Sequence, residues 1–261
     1  MIHILLSRWR QGHRTLAYPK TLPALPARFR GRPRIRAEAC PEGCATCAEV
    51  CPTQAITVAE AGPVIDLGRC LFCPDCTEGC PEGAIEFTGN HALATCQRED
   101  LLLAAGEKLR LAKAFDRELM RLFGRSLKLR VVSAGGCNGC EVDVNVLGTV
   151  AWDIGRFGIQ YVASPRHADG LLLCGPLTEN MAEAVRKTYD AMPEPKIVIA
   201  VGACAISGGP FRNQAEQRGG VGSLLPVDLF IPGCPPHPLT ILDGLLRLLG
   251  RLEGDGRLEP I

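Results

Sequence analysis

Several features that mark other protein classes are missing from this chain of 261 residues. No stretch approaches the roughly 18 apolar residues that a membrane-spanning helix needs. The first residues show no apolar segment followed by a small-residue cleavage site, so we expect no secretory leader. No GxxxxGK(S/T) loop, no HExxH motif and no Ser/His/Asp constellation is recognisable. The sequence therefore predicts neither a membrane-spanning, a secreted nor a nucleotide-binding protein, and it favours a reducing, cytoplasmic setting.

Acidic residues are absent from the first 36 positions, although the formal net charge of the whole chain is only +1. Residues 1–36 contain nine Lys and Arg, whereas residues 37–90 contain nine Asp and Glu and one basic residue, Arg69. The near-neutral total argues against a nucleic-acid partner. The segregation of charge suggests that the basic arm docks onto the acidic segment, a partner or a lipid surface.

The arm has two parts. Apolar residues at helical spacing predict a short basic amphipathic helix within residues 1–19. Prolines predict an extended connector over residues 20–36, since proline is unfavourable inside a helix. A merely solubilising arm is the alternative, but a solvated tail rarely carries apolar side chains at this spacing. Those side chains belong to Ile2, Leu5, Leu6 and Trp9.

Cysteine is abundant, with fourteen residues in the chain. Disulfide-rich secreted domains are normally short, so thiols in this long chain suggest metal binding. Residues 70–81 read C-x2-C-x2-C-x3-C-P, the run of bacterial two-cluster ferredoxins, in which the fourth cysteine crosses to the other cluster. A first run over 40–52 has one extra residue between Cys40 and Cys44, which Gly43 would absorb. Zinc is the alternative, but it prefers two separated CxxC pairs.

An internal repeat relates the two runs, because CPTQAITV (51–58) recurs as CPEGAIEF (80–87). Two similar halves with two cysteine quartets predict two 4Fe–4S clusters in a small α+β ferredoxin domain over residues 37–90. The crossed scheme gives each cluster one ligand from the other run. One cluster takes Cys40, Cys44, Cys47 and Cys80, and the other takes Cys70, Cys73, Cys76 and Cys51.

The remaining residues, 91–261, predict a helix followed by an α/β domain. Apolar residues recurring every three or four positions predict a helix from about Arg98 to Phe123. Five short apolar runs without period-two alternation are typical of strands buried on both faces, which indicates a flavodoxin-like parallel sheet. The strands are expected at 127–135, 159–164, 170–175, 196–202 and 228–233, and helices are expected near 142–153, 178–191 and 237–252.

Four further cysteines follow predicted strands. Ligands in open parallel sheets gather at the carboxyl ends of the strands, so we expect these thiols to hold a third 4Fe–4S cluster. Cys174 is a rival ligand without the surrounding glycines and prolines, and a buried thiol beside the cluster is its other interpretation. Cys96 lies apart from every quartet and is expected to be a free or buried thiol. The four expected ligands are Cys137, Cys140, Cys204 and Cys234.

The larger domain resembles the small, proximal-cluster subunit of membrane-bound, energy-converting nickel–iron hydrogenases of the formate hydrogenlyase type (group 4). The homologous subunit of complex I is also similar, but it carries two adjacent cysteines where this chain has Cys137-Asn-Gly-Cys140. The resemblance covers about residues 98–252, and the N-terminal part resembles the two-cluster ferredoxin subunits of the same complexes. The motifs are GGCNGCE (135–141), SPRHADGLLLCGP (164–176), VGACAISGG (201–209) and PGCPP (232–236).

The resemblance implies an oxidoreductase subunit that passes electrons through three 4Fe–4S clusters. The donor is expected to be formate dehydrogenase or another low-potential partner. The chain lacks a DPC motif, so the nickel is expected on a partner large subunit. Membrane-arm subunits are the other implied partners, with the chain peripheral at the cytoplasmic face of the membrane. A complex I-like quinone oxidoreductase subunit, a free-standing ferredoxin-like carrier and a structural zinc protein are the alternatives.

Three polar residues near the last quartet are further candidates. For Glu141 the resemblance implies proton transfer between the nickel site and solvent, while a helix N-terminal acid favoured by the dipole is the alternative. Arg166 is expected to face the third cluster and to stabilise its reduced form. His167 is expected to be a loop histidine bonded to the backbone, with a proton-coupled role as the alternative. The glycine-rich segment 208–222 is expected to be a surface loop against the large subunit.

Overall fold

The arm begins with a fully exposed helix. In the computed structural model, which describes residues 2–254, helix α1 (Ile2–Gln11) buries none of its side chains, and Trp9 is 83% exposed. The predicted basic amphipathic helix is therefore present, and the connector after it is extended. Tyr18, two residues before the connector, anchors the arm, because it is buried and its hydroxyl donates to Asp243 Oδ1 at 3.0 Å.

The cysteine-rich segment reproduces its sequence repeat as a structural repeat. Each half places a short helix and then a strand at corresponding positions: helix α2 (Thr46–Glu49) and strand β2 (Ile56–Ala59), then helix α3 (Asp75–Glu78) and strand β4 (Ile85–Phe87). Two antiparallel sheets flank the helices. One pairs β4 with β1 (Pro33–Ile35), so the end of the connector folds with this segment, and the other has the order β2, β3 (Gly62–Asp66), β5 (Leu102–Leu103).

The long helix predicted over 98–123 is wrong. Only its last quarter is helical, as α4 (Arg117–Phe123), which Asp116 caps by accepting a hydrogen bond from the Leu119 amide. The stretch before it holds a 3₁₀ turn (Glu99–Leu101), strand β5 and extended chain. Its apolar residues are buried by different parts of the molecule, since Leu109 belongs to one core cluster and Ala112 to the other. The apolar residues of this stretch therefore have helical spacing because they are buried against two different cores, and not because the stretch is a helix.

The larger domain is built on a five-stranded parallel sheet with the order β10-β9-β8-β6-β7. Counted within the domain this order is 2-1-3-4-5, the flavodoxin-like arrangement, so the predicted fold class is confirmed. All five predicted strands are present, although shorter than expected. They are β6 (Leu127–Ser133), β7 (Ile159–Tyr161), β8 (Gly170–Cys174), β9 (Ile197–Val201) and β10 (Leu229–Ile231).

Helices follow four of the five strands. The three predicted helices are present, and the sequence did not reveal the short α7. The connection from β7 to β8 contains only a 3₁₀ turn (Pro165–His167). The helices are α5 (Gly139–Val146), α6 (Glu179–Asp190), α7 (Gly202–Ser207) and α8 (Pro238–Leu248).

Two apolar cores lie on the two faces of the sheet. On one face, α5 and α8 pack on the sheet, with Val144 and Leu242 fully buried. The core on the other face joins sheet residues such as Leu171 to Ile65 and Phe72 of the cysteine-rich segment. The two parts of the chain therefore share one core rather than meeting through a loose linker, and this packing sets the relative position of their cysteines.

Candidate iron–sulfur sites

The first group of thiols gathers around α2. Burial raises the pKa of Cys47, and negative charge on three neighbouring thiols raises it further. The three thiols are those of Cys40, Cys44 and Cys80. Cys80 belongs to the second run, so the neighbours of Cys47 are those that the crossed scheme predicts. Gly43 in the one-residue insertion has φ +74°, a conformation that glycine adopts easily. We name Cys40, Cys44, Cys47 and Cys80 the first ferredoxin site.

The second group is more deeply buried. Burial raises the pKa of Cys70 to about 12, and the charges of three other thiols add to the effect. One of these thiols, Cys51, comes from the first run, so the second group also matches the crossed scheme. We name Cys51, Cys70, Cys73 and Cys76 the second ferredoxin site. Ligation of iron by either group stays a prediction.

Backbone amides donate to sulfur atoms at equivalent points of the repeat. The Ala55 amide donates to Cys51 Sγ at 3.2 Å, and the Ala84 amide donates to Cys80 Sγ at 3.4 Å. The Phe72 amide donates to Cys70 Sγ at 3.3 Å. Such bonds favour thiolates and stabilise added negative charge, which is the condition that iron–sulfur ligands need.

The third group lies at the carboxyl edge of the parallel sheet. Burial raises the pKa of Cys204 to about 12, and charges on Cys234, Cys137 and the neighbouring Glu141 raise it further. Burial also raises the pKa of Cys140, and the other three thiols of the group contribute. Two members are buried and two are exposed. We name Cys137, Cys140, Cys204 and Cys234 the proximal site.

Glycines allow the backbone to approach the thiols of the proximal site. A side chain at Gly202, where φ is +89°, would collide with Cys140 Sγ. A Cβ at Gly209, where φ is +54°, would lie 2.9 Å from Cys204 Sγ. Both positions therefore require glycine for conformation as well as for space.

The proximal site and the second ferredoxin site are neighbours. Burial raises the pKa of Cys234, and the charges of Cys137 and Cys73 raise it further. Cys73 belongs to the second ferredoxin site, so its thiol lies within electrostatic range of the proximal site. A buried hydrogen bond from Ser207 Oγ to the Gly68 carbonyl, at 2.9 Å, links the backbone close to Cys204 with the backbone close to Cys70.

Glu141 lies in the first turn of α5, directly after Cys140. Its Oε1 atom is buried and has no hydrogen-bond partner among the described residues. Arg166 and His167 lie in the 3₁₀ turn between β7 and β8, and both are exposed. Tyr161, which ends β7 before this turn, and Gly170, which begins β8 after it, both pair with Leu129 of β6. Leu129 lies four residues before the end of β6. Within residues 2–254 neither side chain has a hydrogen bond or ion pair with the proximal cysteines, so the expected role of Arg166 stays a prediction without a supporting contact.

The two unassigned cysteines differ in position. Cys174 ends β8, is fully buried, and its pKa is raised by burial and then by the charges of Cys140, Glu141 and Cys204. It is therefore a buried thiol beside the proximal site. Cys96 is partly exposed, and its thiol lies 3.8 Å from the Lys113 carbonyl, apart from the three groups.

The donor set consists of cysteine thiols, which are the ligands of 4Fe–4S clusters. In the part of the chain that the structure describes, no three Cys, His, Asp or Glu side chains converge as ligands of one ion would. A 4Fe–4S cluster distributes four thiolates over its separate iron atoms, and three quartets of free cysteines match that requirement. The amide donors and the glycines at the sulfur atoms fit the same group.

Two protein families match separate parts of the chain. The family described as NADH ubiquinone oxidoreductase, 20 Kd subunit, matches residues 137–248. The 4Fe-4S dicluster domain family matches residues 33–84. The first match contains the proximal site, and the second contains both ferredoxin sites.

Three curated relatives match about half of the chain. The probable membrane-bound hydrogenase subunit mbhJ of Pyrococcus furiosus is 42% identical over 146 residues, which are 56% of this chain and 87% of the relative. Formate hydrogenlyase subunit 7 of Escherichia coli is 43% identical over 54% of this chain and 58% of its own length. An NADH-quinone oxidoreductase subunit of Bacteroides thetaiotaomicron is 46% identical over 44% of this chain and 58% of its own length.

Proposed function

The chain belongs to the family of the NADH ubiquinone oxidoreductase 20 Kd subunit, and on that premise we propose that it is the electron-transfer subunit of a membrane-bound nickel–iron hydrogenase complex. It is an iron–sulfur oxidoreductase subunit of the hydrogenase and complex I-like type. The proposal adds three 4Fe–4S clusters, a low-potential donor such as formate dehydrogenase, and a nickel site on a large subunit. The observation that carries it is the buried hydrogen bond from Ser207 Oγ to the Gly68 carbonyl, which links the backbone after Cys204 to the backbone before Cys70. Clusters at both sites would then lie on one path.

The chain's own residues would bind the clusters and set their surroundings. Each named site would hold one 4Fe–4S cluster, which supplies one-electron transfer at low potential when bound. Amide donors such as those of Ala55 and Ala84 would stabilise the sulfur atoms of the ferredoxin sites. Burial of Cys140 and Cys204 would keep water away from the inner side of the proximal site.

An open surface beside the proximal site supports a large partner subunit. Cys137 and Cys234 are exposed, and Val142 on α5 is 58% exposed. Phe211 adds an exposed apolar side chain in the glycine-rich segment expected to face the large subunit. Apolar exposure of this kind is typical of a surface that a partner covers. Glu141 would connect this surface to solvent as a proton carrier, and its unpartnered buried oxygen supports that role.

Helix α1 supports a peripheral position at the membrane. It presents basic residues together with exposed Ile4, Leu5 and Trp9, as interfacial helices do. No helix within residues 2–254 is both long and apolar enough to cross a bilayer. We propose that α1 lies against the membrane arm on the cytoplasmic face.

Anaerobic purification of the complex tests the proposal. We expect the chain to copurify with a large subunit that contains nickel, and we expect hydrogen turnover with a low-potential dye. The second candidate function is a complex I-like quinone oxidoreductase, which the similarity to an NADH-quinone oxidoreductase subunit favours. A partner without nickel and with quinone reduction would select that candidate and contradict the hydrogenase assignment.

A further inference from the structure

Two adjacent connector residues contact the loops that carry cysteines of the second ferredoxin site and of the proximal site. Arg30 Nε donates a hydrogen bond to the Phe72 carbonyl at 2.5 Å. Phe29 packs its ring edge-to-face on His237, with ring centroids 5.3 Å apart. Phe72 immediately precedes Cys73 of the second ferredoxin site, and His237 follows Cys234 of the proximal site by three residues. The connector therefore crosses the boundary between the two sites.

The Phe72 backbone has an unusual conformation that needs support. Its φ is +54°, a left-handed conformation that bulky residues rarely adopt. The buried ring contacts Phe87, and the Phe72 amide donates to Cys70 Sγ. The Phe72 carbonyl in turn accepts from Arg30, so both backbone polar groups of Phe72 have a hydrogen-bond partner.

His237, the connector's contact on the side of the proximal site, is itself held in place by further contacts. His237 Nδ1 accepts from the Leu239 amide at 3.1 Å and so caps α8. The His237 ring also contacts Trp152, with centroids 6.0 Å apart. Phe29 completes this aromatic group, which holds the connector on the segment that follows Cys234.

We propose that Arg30 is a positioning residue for electron transfer, which fixes the Cys70–Cys73 loop against the proximal site and places a positive charge beside the second ferredoxin site. The inference rests on the proposed function, since it assumes that both sites hold clusters. A positive charge favours the reduced, more negative form of a cluster, so Arg30 raises the reduction potential of the second ferredoxin site. The side chain is exposed, so solvent and salt screen part of this effect.

Three variants of the full chain in its complex distinguish the effect of the Arg30 charge on the cluster from the effect of its hydrogen bond on the loop. Arg30→Gln removes the charge, and Arg30→Lys keeps the charge but loses the planar Nε–H donor. Arg28→Gln is the matched control, because Arg28 carries the same charge two residues earlier and is exposed. Within residues 2–254 it has no hydrogen bond to either cysteine loop. Spin-resonance redox titration reports the second ferredoxin site, and amide hydrogen exchange reports the loop.

We expect Arg30→Gln to lower the ratio of reduced to oxidised second-site cluster at a fixed potential by about threefold, because a screened charge nearby has been removed. We expect amide exchange in residues 70–73 to speed up by about tenfold, because a loop carbonyl has lost its partner. Arg30→Lys should show the faster exchange with a smaller change in the redox ratio. Arg28→Gln should change neither quantity.

Equal behaviour of Arg30→Gln and Arg28→Gln in both measurements would overturn the proposal. Faster exchange with an unchanged redox ratio would overturn the charge part. Failure of the proposed function is distinguishable, because it would show as a missing proximal-site signal in the unsubstituted complex. Amide exchange in residues 70–73 reads the Arg30 contact whatever the proximal site binds.

Discussion

Ser207 and Gly68 are 139 residues apart in sequence, yet the Ser207 hydroxyl donates a buried hydrogen bond to the Gly68 carbonyl. Ser207 ends α7, three residues after Cys204, and Gly68 lies two residues before Cys70. The bond therefore connects the backbone of the proximal site with that of the second ferredoxin site. Gly68 is itself fixed, because its amide donates to Asp66 Oδ1 and Arg98 holds the other Asp66 oxygen.

Ser207→Ala should destabilise the contact between the two parts of the chain. The substitution leaves the Gly68 carbonyl buried without this partner, which costs about 1–3 kcal/mol. For a chain of this size each kcal/mol lowers Tm by about 2–4 °C, which differential scanning calorimetry measures. Ser223→Ala is the matched control, because the Ser223 hydroxyl donates to the nearby Gly220 carbonyl within one loop. Equal Tm values for the two variants would show that the Ser207–Gly68 bond does not stabilise the contact between the two parts.

Gly68→Ala tests the close approach of α7 to the second cysteine run. An added Cβ would lie 2.8 Å from Ile206 Cγ2 and 2.8 Å from Arg98 Cζ. Overpacking of this kind costs about 1–3 kcal/mol, and we expect a corresponding loss of stability in thermal unfolding. Gly89→Ala is the control, because no atom lies within 4 Å of a Cβ at that position. A Gly68→Ala protein as stable as the Gly89→Ala protein would show that the parts are not packed as described.

His91 should make the stability of the chain depend on pH. It lies buried beside Tyr18 and Asp243, and burial lowers its pKa. The folded state then binds fewer protons than the unfolded state, whose histidine titrates near 6.5. The stabilisation is fully present above that value and is lost as the pH falls towards the lower, folded pKa.

Thermal unfolding between about pH 7.5 and about pH 6 measures this dependence. We expect His91→Gln to reduce the fall of Tm on acidification. His3→Gln on the exposed α1 should leave the fall unchanged. An unaltered pH dependence in His91→Gln would contradict the assignment.

Cys174 and Cys204 should respond differently to substitution. Both are buried, but we expect only Cys204 to bind iron. Cys204→Ser should lower the iron content by about four atoms per chain or abolish the proximal spectral signal. Cys174→Ala should retain the iron content, because it only removes a small buried thiol. Loss of iron in Cys174→Ala together with normal iron in Cys204→Ser would reverse the ligand assignment.

Patterns over short stretches of sequence predicted several parts of this molecule correctly. The five apolar runs are the five parallel strands, and β8, β9 and β10 are buried at every position, as continuous apolar runs predict. The sequence repeat predicted two similar halves, and the structure repeats a short helix and a strand in each half, although the helices α2 and α3 were not predicted. The glycines near the cysteines marked tight approaches, as at Gly202.

Long-range contacts set the features that the sequence did not reveal. Leu103 is buried because β5 pairs with β3, so the regular spacing of apolar residues over 98–123 was a product of tertiary packing. Arg30 lies in no motif, and the motif that contains Ser207 does not show that Ser207 bonds to Gly68. Both roles arise from contacts across distant parts of the chain, with Phe72 and Gly68 respectively. Such residues are recognisable only once the chain is folded.

Quantitation of iron and acid-labile sulfide in the anaerobically purified complex measures how many clusters this chain binds. Three quartets of cysteines predict about twelve irons per chain, with spin-resonance signals from three reduced centres. A value of about eight irons, with no signal lost when Cys204 and Cys234 are both changed to Ser, would contradict the existence of a cluster at the proximal site.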